Sequence, residues 1–112
     1  MDKVISKDIS DNQQLRSQVD RATEILEQIA GNGAKSVGVK WSKLDKDASH
    51  FILLEVSDST GANAKTLFSG PAELTNEGYL RARLYRIWGD LLQDRSHKQL
   101  IQLSGSADVS VP

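Results

Sequence analysis

The sequence predicts a small α+β domain: a helix, a three-stranded antiparallel meander and a second helix, with both helices on one face of the sheet. Three observations predict it. Apolar residues recur at helical spacing between Leu15 and Ile29, and again between Leu80 and Leu91. Between these stretches, Val37, Val39 and Trp41 alternate with Gly38, Lys40 and Ser42, and residues 51–56 are almost wholly apolar. The connections are short and polar, which suits hairpins rather than the long crossovers of parallel strands.

Residues 1–9 are mixed in character and are expected as an N-terminal arm or an edge strand. The single domain is expected over residues 10–103. Ser10 and Gln13 have the spacing of a capping box, the serine oxygen meeting free amides and the glutamine reaching back. Leu15, Val19, Ala22, Leu26 and Ile29 then follow at steps of four, three, four and three, one stripe of an α-helix, with Ser17, Asp20, Glu24 and Glu27 opposite. Gly31-Asn-Gly33 stops that helix, because glycine and asparagine accept left-handed backbone angles.

Residues 37–41 give the first strand, 42–49 a charged turn and 51–56 a central strand. Ser57-Asp-Ser-Thr-Gly-Ala-Asn63 is turn chemistry, and residues 64–69 give a third strand ended by Gly70-Pro71. Thr75 is expected to cap the second helix, with Leu74 stapled against Tyr79. That helix is expected to end near Arg95 or Lys98. Residues 99–103 fit either a fourth, C-terminal strand or a helical extension. Residues 104–112 are small and polar and are expected as a flexible tail.

Composition removes several function classes. Acids outnumber bases by 15 to 14, so no global charge argues for nucleic acid. Cysteine is absent, which removes disulfides, thiolate metal sites and cysteine nucleophiles and fits a cytoplasmic protein. The acidic N-terminus does not read as a signal peptide, and the apolar run at 51–54 is far too short to span a bilayer.

Candidate chemistries fail on spacing. Gly31-Asn-Gly-Ala-Lys-Ser36 lacks the Gly-Lys step of a phosphate loop and follows a helix instead of opening one. His50 and His97 have no metal-spaced partner, and Asp45, Asp47 and Asp58 lack the ligand series of a calcium loop. Phe68-Ser-Gly-Pro71 does not make a nucleophile elbow. No catalytic residue, cofactor or metal is therefore expected. A weaker third reading is an enzyme with a carboxylate site around Glu55 and Asp58.

Two resemblances concern element order alone. With a C-terminal strand, the order is similar to the core of restriction-endonuclease-like nucleases, but Glu55-Val-Ser57 has serine where their lysine belongs. The helix–three strands–helix order is similar to double-stranded-RNA-binding domains, which imply a lysine cluster at the start of the second helix. Asn76-Glu77-Gly78 stands there instead.

Two surfaces remain as partner sites. On the central strand, Ile52, Leu54 and Val56 point one way, under the helices. Phe51 and Leu53 point the other way onto a face too apolar for water, and Trp41 is grouped with them as partner-binding. Either this face is covered by residues 1–9 or 99–103, or it makes a homodimer. The second surface is the outer strip of the second helix, Ala82, Arg86 and Gly89, where small residues allow close approach. The expected function is a non-catalytic protein-interaction domain, as adaptor, regulator or subunit, that self-associates. The alternative is a nucleic-acid-binding module using Arg81, Arg83, Arg86, Arg95 and Lys98.

Overall fold

A computed structural model describes the backbone of residues 1–110 and the side chains of residues 1–103. The chain builds β1 (Asp2–Ile5), α1 (Lys7–Ser10), α2 (Gln13–Ala30), a 3-10 helix (Gly31–Ser36), β2 (Val37–Lys46) and β3 (Ser49–Asp58). These are followed by β4 (Asn63–Phe68), α3 (Pro71–Thr75) and α4 (Glu77–Ser110). The strands form one sheet in the order β1-β2-β3-β4. β2, β3 and β4 are the antiparallel meander, and β1 adds to its edge parallel to β2. The sheet is therefore four-stranded and mixed, and its extra strand comes from the N-terminus. Residues 99–103 lie in α4, so they neither close the sheet nor cover it. The tail expected at 104–112 lies outside the residues whose side chains are described.

Strand alternation sorts the sheet into two faces. Val37, Val39 and Trp41 of β2, Ile52, Leu54 and Val56 of β3, and Phe68 of β4 point into one core. The stripe of α2 (Leu15, Val19, Ala22, Leu26) and that of α4 (Leu80, Leu84, Ile87, Leu91) close this core from above. Ile9 of α1 plugs its end. Trp41 is wholly buried. Its ring stacks on Phe68 with centroids 6.0 Å apart, and its indole N–H donates to Thr23 Oγ1 at 3.0 Å. The Thr23 hydroxyl donates in turn to Val19 O at 2.9 Å, so no polar atom of this pair is left bare.

Four local expectations are corrected. Asn12, not Ser10, caps α2: its Oδ1 accepts from the Leu15 amide at 3.1 Å. Asn76, not Thr75, caps α4: its Oδ1 accepts from the Tyr79 amide at 3.2 Å, while the Thr75 hydroxyl donates back to Ala72 O. Residues 42–49 are not a loop. β2 runs to Lys46 and β3 starts at Ser49, joined by a two-residue turn at Asp47 and Ala48 with φ of 52° and 63°. Finally, α4 does not stop near Lys98. Gly33 marks a close approach, since a Cβ there would stand 3.0 Å from Cζ2 of Trp88.

Candidate interaction surface

The outward residues of the sheet form two zones. At the hairpin end, Leu44 pairs with Phe51 across β2 and β3, and Leu53 pairs with Leu67 across β3 and β4. Phe51 and Leu53 are half-buried, whereas Leu44 and Leu67 are 40% and 39% exposed. At the other end, Lys40, Glu55 and Lys65 make one cross-strand row, with Ser57 and Asn63 beyond it. Val4 on β1 is 58% exposed at its flank. Among the described residues no helix or loop lies over this face. β1 extends the sheet and does not fold beneath it.

The sequence-derived residues separate. Phe51 and Leu53 sit on the open face. Trp41 does not: its place in the register, opposite Leu54, turns it to the helices, and it leaves the surface set. Ala82, Arg86 and Gly89 are exposed on α4, in the helical layer, so the two candidate surfaces belong to opposite layers of the molecule. Nothing stands within 4 Å of a Cβ built on Gly89. Arg86 borders a shallow groove with Lys65, Arg83 and Asp90 at the β4 edge.

The basic residues of α4 do not converge either. Arg81 pairs with Glu77 one turn back at 3.6 Å. Arg83 donates to Thr66 Oγ1 and, at 2.6 Å, to Leu67 O, with its guanidinium 5.8 Å from the ring centres of both Phe68 and Tyr79. Arg95 Nε donates to Asp58 Oδ2 at 2.7 Å. Lys98 donates to Gly61 O at 2.9 Å and lies 3.7 Å from Asp94. Only Arg86 of the five makes no ion pair or hydrogen bond among the described residues.

These contacts close the sheet edge. Leu67 O and the Asn63 amide belong to the free side of β4; Arg83 donates to the first, and Asp94 Oδ2 accepts from the second at 2.9 Å. A charged Lys65 stands between them. Strand addition at β4 is thus blunted by a covering helix and by charge. The sequence carries no local signal for Arg83 or Asp94 in this role, because each reaches a strand far away in the chain. Leu44 and Leu67 also escaped the sequence reading. Extending the alternation past Ser42 would have placed Leu44 beside Phe51.

Asp58 and Glu55, the carboxylates of the enzyme reading, are apart in role. The Asp58 side chain is nearly inaccessible. Burial alone would raise its pKa, but hydrogen bonds from the Thr60 hydroxyl and amide and from Arg95 outweigh it and hold the carboxyl below its usual range. It organises the β3–β4 turn and ties α4 to it. Glu55 faces outward in the lysine row. His50 pairs with Asp45 at 2.6 Å on the exposed hairpin. Among the described residues no three His, Cys, Asp or Glu side chains are grouped to hold a metal ion.

Fold and surface together define a small single-domain α+β protein with one sheet face sealed by helices and the other open among the described residues. Among its described residues, no helix is long and apolar enough to cross a membrane. No protein-family model matches the chain, and neither a curated protein nor a solved structure matches it.

Proposed function

We propose that this chain is a non-catalytic protein-interaction domain that self-associates, serving as an adaptor, regulator or subunit. One observation carries the reading: Leu44, Phe51, Leu53 and Leu67 are contiguous on a sheet face that no other element covers among the described residues. Burying such a patch is favourable by roughly 25 cal/mol per Å² of apolar surface, and a second layer is the usual way to do it. The absence of cysteine fits a reducing compartment such as the cytoplasm. The nucleic-acid alternative loses support, because four of its five basic residues are already engaged within the fold.

Light scattering tests the reading. At micromolar concentration the expected mass is twice the 12.3 kDa of the chain. Leu53→Glu, which places a charge in the patch without touching the core, is expected to return a folded monomer. A monomeric native chain at every concentration overturns the proposal.

A further inference from the structure

The row Lys40–Glu55–Lys65 gives the open face a polarity that restricts how it can be covered. Glu55 lies between two lysines in register, and no ion pair among the described residues includes any of the three. The adjacent row towards the hairpin holds Leu53 and Leu67. A face with an apolar row beside a row of alternating sign suits a partner with the same two rows. A two-fold pair of identical faces supplies that.

We propose, resting on the self-association reading above, that the occupant is a second copy, related by a two-fold axis that runs along the strands between β3 and β4. Such an axis exchanges β3 with the partner's β4 and keeps row against row. Leu53 then meets the partner's Leu67, and Glu55 meets the partner's Lys65, each contact being made twice. An axis between β2 and β3 also sets Glu55 on a lysine, the partner's Lys40, but it places Leu53 on the partner's Ser42 and so loses the apolar match. Two other axes serve the charges worse. An axis along β3 itself sets Glu55 on the partner's Glu55. An axis across the strands, placed to keep the apolar rows together, carries Lys40 towards the partner's Lys46.

A further observation favours a folded face over a strand added at β4. That edge is closed by Arg83 and Asp94, so an added strand finds its end groups already bonded.

The experiment mixes charges across the axis. E55K makes positions 55 and 65, which meet across the axis, both basic and K65E makes them both acidic, so each alone is expected to dimerise at least about tenfold more weakly than the native chain. Mixed in equal amounts, they restore both cross-axis pairs and are expected to form a heterodimer of native affinity, with circular dichroism confirming that each folds. The chain has no cysteine, so single replacements report the axis. L53C mixed with L67C is expected to give an oxidised heterodimer, and L53C alone is not.

A native dimer that K65E leaves unchanged, whether or not E55K weakens it, overturns this geometry and leaves self-association standing. Efficient cross-linking of L53C to itself moves the axis onto β3 and also overturns it. A native chain that stays monomeric overturns both.

Discussion

The two faces of the sheet are made from the same three strands, residue by residue in alternation, yet they have opposite fates. The inner face carries Trp41, Leu54, Val56 and Phe68, each fully buried under α2 and α4. The outer face carries Leu44, Phe51, Leu53 and Leu67, partly exposed and covered by no element among the described residues. The difference lies in what each face is asked to stabilise. The inner residues hold the monomer together through dispersion and water exclusion. The outer ones keep part of their surface in water, and on the proposed reading they meet a partner. Mutations on the two faces should therefore separate folding from association.

The largest separation is expected between Trp41→Ala and Leu53→Ala. Removing the buried indole should cost about 3–5 kcal/mol of unfolding free energy, whereas Leu53→Ala should cost the dilute monomer under about 1 kcal/mol. Urea unfolding at nanomolar concentration measures both. Equal losses would mean that the outer face is part of the folding core.

A medium effect is expected at the link that holds the covering helix. Asp58 has its pKa lowered in the fold, so its contribution is present above the ordinary carboxylate value of about 3.9 and is lost as pH falls through the folded value. Asp58→Asn should therefore destabilise the neutral protein by about 1.5–3 kcal/mol and flatten its acid limb. Thermal melts at pH 7 and pH 3 compare the two chains, and an unchanged acid slope in the variant would assign the acid loss to other carboxylates. Asp20, held down by Lys3 and Arg16, is the next of these.

The smallest effect tests the rival surface. Gly89 sits exposed in mid-helix with free space around it. Gly89→Ala should stabilise the monomer by up to about 1 kcal/mol and leave dimerisation untouched. Loss of the dimer in this variant would move the partner surface from the sheet to α4.

Much of the inner face was legible in the sequence. The stripe from Leu15 to Ile29 and the alternation at Val37, Val39 and Trp41 are local patterns, and burial follows them directly. The outward position of Phe51 and Leu53 followed from the same parity. Grouping Trp41 with them ignored that its own alternation put it with Val37 and Val39. The turn at Asp47 and Ala48 was illegible for a different reason. An alanine with positive φ costs about 1–2 kcal/mol and carries none of the glycine or asparagine signal of a tight hairpin, so the strands looked shorter than they are. The caps were ambiguous because Ser10 and Asn12, like Thr75 and Asn76, offer competent oxygens within two residues. β1 and the closure of the β4 edge depend on partners distant in the chain, which no local pattern encodes.

The parallel seam between β1 and β2 has a consequence for the order of assembly. The meander joins neighbours through turns of a few residues and can form as soon as its strands exist. Lys3 faces Val39 only after all of α2 has been made. β1, made before the other three strands, is therefore expected to be among the last to find its place, since contacts between distant residues form slowly. Until then the β2 edge stands bare, and substitutions in β1 are expected to act on folding speed as well as on the finished molecule.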